Sequence, residues 1–182
     1  MEEIKYYKMT IAGLERALPI CALNEKLSIA GFVMLGDYEL VEACARELNK
    51  LLPEHDYLIA PEAKSISLIN EMARQAGEKK HFVARKGMKA YMTNPISVTV
   101  NSITTAREQT LYLDGRDAEL MKGKKIVIVD DVISTGESLA AVEKLVRTAG
   151  GIVVGRAAVL AEGDAADRDD IVYLEKLPLF FN

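Results

Sequence analysis

The chain has 182 residues, of which 49% are hydrophobic and 27% charged, with a formal net charge of −4. That length holds one α/β domain with a real core and a small appendage, and the acidic balance excludes a general attraction to nucleic acid or to an anionic membrane. His55 and His81 are the only histidines, which excludes a histidine-rich metal site, so a divalent cation must sit on oxygen ligands or arrive with a substrate.

The start, MEEIKYYKMT, has no basic stretch followed by an apolar one, so no secretory signal is expected. No apolar run approaches the roughly 18 residues a membrane span needs. Cys21 and Cys44 fit neither a metal knuckle nor a redox pair, and with seven methionines they suit a reducing cytosol. There is no internal repeat.

Residues 1–35 read as short extended pieces, Tyr6 to Ile11, Ala17 to Leu23 and Ser28 to Leu35, separated by polar turns such as Asn24-Glu25-Lys26. They form an expected small N-terminal lobe, with residues 36–182 as the core. After Asp37, a plausible cap, Leu40, Val41, Cys44, Leu48 and Leu51 recur at helical spacing, and Pro53 ends that helix. Tyr57 to Ala60 reads as a short buried strand. A helix from Ser65 to Ala76 stops at Gly77, and His81 to Ala84 is the next strand. Residues 86–124 break the rhythm, with candidate strands at Ile96 to Val100 and Gln109 to Leu113 and a turn signal at Asp114-Gly115. A long excursion between core elements reads as an active-site lid, here residues 86–110, or as a surface hairpin. Ile126 to Val129 is a continuous apolar strand. The helix after it carries Leu139, Val142, Leu145, Val146 and Ala149 on one face, closes at Gly150-Gly151, and leads into a strand from Ile152 to Leu160. Apolar strands alternating with amphipathic helices predict an α/β fold, a parallel sheet flanked by helices, with ligands beyond the strand C-termini.

The segment IVIVDDVISTGES, Ile126 to Ser138, carries the chemistry. The apolar strand delivers Asp130 and Asp131 to its end. Ile133-Ser134-Thr135-Gly136 then turns into a helix whose first turn holds Glu137 and Ser138. Converging backbone N–H groups and the helix N-terminus bind a phosphate without a lysine, the hydroxyls of Ser134, Thr135 and Ser138 add donors, and Gly136 permits close approach. Two carboxylates beside a phosphate suit vicinal hydroxyls, which need acceptors, and a hydrated Mg²⁺. A phosphate cradle next to hydroxyl acceptors describes ribose 5-phosphate.

This segment resembles the motif with which type I phosphoribosyltransferases bind 5-phosphoribosyl 1-pyrophosphate (PRPP), and the surrounding elements fit over roughly residues 37 to 160. Within that family the likeness is to adenine phosphoribosyltransferases and related purine salvage enzymes. Glu137 is a departure, since many members carry glycine there. A carboxylate in the first helical turn suits the helix dipole but repels a phosphate unless its side chain points away. The resemblance implies a flexible loop at 86–110, an N-terminal hood over the base, PRPP and a purine base as substrates, Mg²⁺ as cofactor and a homodimer. It also implies a pyrophosphate site at Ala63, Lys64 and Ser65 with Arg85, Lys86 and Lys89. Asp130 and Asp131 would hold the ribose and the metal, and Asp131 takes a proton-accepting or base-contacting role. Family members usually carry a glutamate in a Leu-Glu-Tyr-like stretch of the loop, where this chain has Val100 to Thr105 and only later Glu108. Leu177 and Phe180, in the apolar C-terminal stretch, are the candidates to stack on a base, or else to pack on the core or a dimer interface.

The implied reaction is displacement at the anomeric carbon of PRPP by a purine nitrogen, with pyrophosphate leaving. Adenine is the expected base, with hypoxanthine, guanine or xanthine as alternatives. The rival from another class is a PRPP-sensing regulator. Against it stand the basic residues at both pyrophosphate positions and the lack of room for a DNA-binding module. A PRPP synthetase-like kinase is disfavoured by size and by the lack of a second nucleotide-binding motif.

Overall fold

The computed structural model of the chain describes residues 4–101 and 108–181. In chain order the elements are β1 (Tyr6–Ile11), β2 (Leu14–Ala22), β3 (Leu27–Ala30), α1 (Tyr38–Asn49), β4 (Tyr57–Pro61), α2 (Ile66–Ala76), β5 (Phe82–Ala84), β6 (Ile96–Asn101) and β7 (Glu108–Leu113). Then come α3 (Gly115–Met121), β8 (Lys125–Ile133), α4 (Glu137–Thr148), β9 (Ile152–Glu162), a 3₁₀ turn over Gly163–Asp167, β10 (Val172–Leu177) and β11 (Leu179–Phe181). Among the described residues no helix is long and apolar enough to cross a membrane.

The centre is a five-stranded parallel sheet in the order β10-β9-β8-β4-β5. Its strands are apolar on both sides because both faces are covered. Val127 and Val129 of β8 pack with Leu40, Cys44 and Leu48 of α1 and with Leu68, Ile69 and Met72 of α2. Ile126 and Ile128 face the other way, toward Met121 of α3 and Leu139, Val142 and Leu145 of α4. The two-residue alternation of a strand thus divides one apolar run between two cores.

The helix signals work as the sequence indicates. Asp37 Oδ1 accepts from the Leu40 N–H at 3.1 Å and caps α1. Gly77 takes a left-handed φ of 73° and stops α2. Leu51, placed on the apolar face of α1 by spacing, instead lies beyond the helix and is exposed. Asp114-Gly115 is not a plain turn: Asp114 Oδ1 accepts from the Arg116 N–H at 2.9 Å and caps α3, a short helix that the periodicity does not reveal. Seven residues are too few to display a repeating apolar face.

Four strands, β1-β2-β3-β11, form a separate antiparallel sheet. Its first three strands are the extended pieces of the N-terminal lobe. Its fourth comes from the C-terminus, where β11 pairs with β3 through Leu179–Ile29, Phe180–Ser28 and Phe181–Leu27. Ile11, Leu18, Ala30, Phe32 and Met34 share one core with α1 and α2, so this sheet is fixed over that face of the molecule. β6 and β7 form an antiparallel hairpin whose Val98, Leu111 and Leu113 are buried against the α3/α4 face. The base of the 86–110 excursion is therefore packed; residues 102–107 lie outside the described residues.

Candidate active site

The sheet itself makes the site. From β4 the chain moves outward to β5; from β8 it moves outward the other way, to β9 and β10. β4 and β8 are therefore the pair at which strand order reverses, the place where open α/β sheets form a crevice. Their pairing ends at Ile59–Ile128, although β4 runs on to Pro61 and β8 to Ile133. β8 stays on β9 as far as Ile133–Ala161. The opening between the two strand ends is a cleft of about 340 Å³, bordered by Glu62, Lys64, Ser65, Lys86, Asp130 and Asp131.

Asp130 and Asp131 lie inside β8 rather than just beyond it, and both are buried. Ser65, at the start of α2, ties them down. Its hydroxyl donates to Asp130 Oδ1 at 2.6 Å and accepts from the Asp131 N–H at 3.0 Å, and that N–H also reaches Asp130 Oδ1 at 2.9 Å. Burial pushes the Asp130 carboxyl well above the usual carboxylate range; the Ser65 hydrogen bond opposes this and the adjoining Asp131 charge adds to it. The Lys64 ammonium pairs with Asp131 Oδ2 by charge, without hydrogen-bond geometry.

Beyond the aspartates, residues 134–138 wrap a small concavity of about 40 Å³. Gly136, with φ 80°, occupies the N-cap position of α4, and no side chain caps that helix. The nearest approach is a long contact of 3.5 Å from the Glu137 N–H to Thr135 Oγ1. The N-cap position falls on Gly136 and not on Ser134 or Thr135, so α4 begins at the concavity with no side-chain cap. Ile133 is buried and closes the strand, whereas Ser134, Thr135 and Ser138 are exposed.

On the other rim, Arg85 follows β5. Its Nε donates to Glu62 Oε2 at 3.1 Å and its Nη1 to the Tyr91 hydroxyl at 2.9 Å. The Lys86 N–H donates to the same Glu62 oxygen at 2.9 Å. That N–H, and next the Arg85 guanidinium, hold Glu62 below the usual carboxylate range, with Lys89 adding charge of the same sign. Glu162, at the end of β9, is pushed up by burial while the Lys64 charge opposes it.

The geometry brings together Lys64, Ser65, Lys86, Asp130, Asp131 and Ser138 around one cleft, with Ala63 in its wall and Arg85 held at its edge by Glu62. Leu177 and Phe180 are placed differently. Leu177 ends β10 and is 2% exposed in the core beneath the hood. Phe180 lies on β11 with its ring edge-on to Tyr7 at 5.4 Å. Glu62 was not singled out by sequence, although its position beside Lys64 put it within reach. No local signal marks Arg168, which reaches the 134–138 turn from beyond β9.

The family described as phosphoribosyl transferase domain matches residues 37–177. The chain is 27% identical over 124 residues to the adenine phosphoribosyltransferase of Petrotoga mobilis, covering 67% of this chain and 68% of that one. It is 30% identical over 158 residues to the orotate phosphoribosyltransferase of Campylobacter jejuni, covering 81% of this chain and 67% of that one. Among solved structures it is similar to the adenine phosphoribosyltransferase of Thermoanaerobacter pseudethanolicus, with a TM-score of 0.67, 27% identity, and coverage of 79% and 84%.

Proposed function

Because the chain belongs to the phosphoribosyl transferase domain family, we propose that it transfers the 5-phosphoribosyl group of PRPP to a purine base, adenine by preference, and releases pyrophosphate. The observation that carries this reading is the seam between β4 and β8. There an uncapped helix N-terminus, two buried carboxylates and the Lys64 ammonium share one crevice.

In this reading the turn 134–138 holds the 5-phosphate through backbone N–H groups and hydroxyls. Asp130 and Asp131 accept hydrogen bonds from the ribose hydroxyls. Mg²⁺ fits the donor set, since Asp130 and Asp131 bring two carboxylates to the cleft and would hold it through hard oxygen donors; when bound, it would neutralise pyrophosphate charge. The base nitrogen forms a bond to C1 as the C1–O bond to pyrophosphate breaks, and the electron pair leaves with pyrophosphate. Lys64, Arg85, Lys86 and Lys89 meet the charge that grows there. Asp131, beside Lys64, is the candidate to contact the base or take its proton. The stretch 86–110 closes over the site and excludes water. The hood sheet, with Phe180 and Leu177 near its join to the core, covers the base, and the working form is a cytoplasmic homodimer.

A second reading, orotate as the acceptor, is favoured by the 30% identity over 81% of the chain to an orotate enzyme. Pyrophosphate release from PRPP, measured across adenine, hypoxanthine, guanine, xanthine and orotate, separates the two. Adenine is expected to turn over fastest. Turnover of none, with tight PRPP binding retained, would replace the enzyme by a PRPP sensor. Light scattering tests the dimer.

A further inference from the structure

Residues 130–138 carry three carboxylates, Asp130, Asp131 and Glu137, and no basic residue. The ammonium closest in kind, Lys64, is already paired with Asp131. A phosphate dianion entering the turn would therefore meet only dipoles and hydroxyls on this segment, next to negative charge. A cation does reach the turn, from elsewhere in the chain. A methyl group placed on Gly136 would come within 2.7 Å of Nη1 of Arg168, so the guanidinium lies directly over the glycine at the N-cap of α4.

Its pose is held from behind. Nε and Nη2 of Arg168 donate to the two oxygens of Asp170, each at 2.8 Å, which fixes the plane of the guanidinium by a two-pronged contact. Asp170 in turn lies 3.8 Å from Arg156 Nε, and Arg156 is bound to Glu143 of α4 at 2.7 Å. The fork facing Asp170 is engaged, while the remaining edge, Nη1, is presented at Gly136.

We propose that Arg168 is a binding residue for the 5-phosphate, closing the 134–138 cradle over Gly136 and supplying the positive charge that the cradle's own segment lacks. This rests on the phosphoribosyl-transfer reading of the site. It also accounts for Glu137, the sequence neighbour of Gly136: a carboxylate in the first turn of α4 is tolerable beside a phosphate when a guanidinium lies over the same turn. And it gives Gly136 a second reason to be glycine besides its positive φ, because any side chain would displace Arg168.

The test is calorimetric binding of three probes, Mg²⁺-PRPP, ribose 5-phosphate and Mg²⁺-pyrophosphate, to the wild-type chain and to Arg168→Ala and Arg168→Gln. Loss of the guanidinium should weaken PRPP and ribose 5-phosphate by about tenfold, the scale of one hydrogen bond to a charged group. Pyrophosphate affinity should not change, and in steady state KM for PRPP should rise with kcat kept. Arg168→Gln keeps the aliphatic stem as far as Cδ and a polar end without the charge, and is the variant to read if Arg168→Ala melts early. Unchanged ribose 5-phosphate affinity, or an equal loss for all three probes, overturns the proposal and leaves the functional reading standing. A wild-type chain that binds neither PRPP nor ribose 5-phosphate overturns the functional reading itself.

Discussion

The two rims of the cleft are built on opposite plans. The 134–138 turn is made of consecutive residues, and it presents backbone N–H groups and hydroxyls at the start of a helix that has no side-chain cap. The 62–65 and 85–89 rim is made of side-chain cations, and those with carboxylates in reach are paired: Lys64 with Asp131, and Arg85 with Glu62. Backbone dipoles are fixed by the fold and stay available when the site is empty. Ammonium and guanidinium groups on flexible stems take the nearest carboxylate, and a ligand must displace it. The first rim is preorganised by local structure. The second has its cations engaged by Asp131 and Glu62, and in the proposed function pyrophosphate would have to compete with both.

The largest effect is expected where the rims meet. Asp130→Asn combined with Asp131→Asn should weaken PRPP binding by about 100-fold, or ~2.8 kcal/mol, because the two proposed hydroxyl acceptors, one of them the partner of Lys64, lose their charge. Calorimetry with and without Mg²⁺ reads it; unchanged affinity and unchanged Mg²⁺ dependence would mean that the ribose sits elsewhere. Ser65→Ala comes next. Ser65 belongs to the basic rim by sequence but holds Asp130 and the Asp131 N–H, so KM for PRPP should rise about tenfold, with Ser65→Thr recovering most of the loss. A variant with wild-type kinetics would show the two rims to be independent.

A smaller change of opposite sign is expected on the basic rim. Glu62→Gln removes the carboxylate that competes for Arg85 and should tighten inhibition by pyrophosphate about threefold, the scale of one partly exposed ion pair. Weaker inhibition would make Glu62 an orienting partner instead of a competitor. The smallest effect lies outside both rims and touches stability alone. Arg74 holds the Glu71 carboxyl down to about 2, below its ordinary 4.5. The folded value lies below the unfolded one, so this contribution is complete above pH 4.5 and fades as pH falls toward 2. Urea midpoints should fall less over that interval in Glu71→Gln than in the wild-type chain, with kinetics for PRPP the same in both.

What could be read locally in the sequence follows the same division. Ile126 to Ser138 announces its strand, turn and helix because each step depends on near neighbours: an apolar run that must be buried, a glycine that admits a positive φ, and an apolar face at helical spacing. The cap at Asp37 and the stop at Gly77 belong to the same class. The end of β8 is not legible in the same way, because β9 keeps pairing with it through Ile133 and draws both aspartates into the strand. The helix α3 escaped notice because a cap and two turns carry too little pattern. The C-terminal strand of the hood escaped it too, since nothing in LFF names Leu27–Ala30 as its partner.

By itself the sequence determined the α/β character, the strand, turn and helix over residues 126–148, and the family likeness, all of which rest on residues a few positions apart. Tertiary structure alone decided that Ser65 bridges to Asp130, that Glu62 occupies Arg85, and that Arg168 lies over Gly136. These contacts join segments that the chain separates widely. They form only once the parallel sheet has brought the strand ends to one edge, and no spacing along the sequence encodes which side chains will meet there.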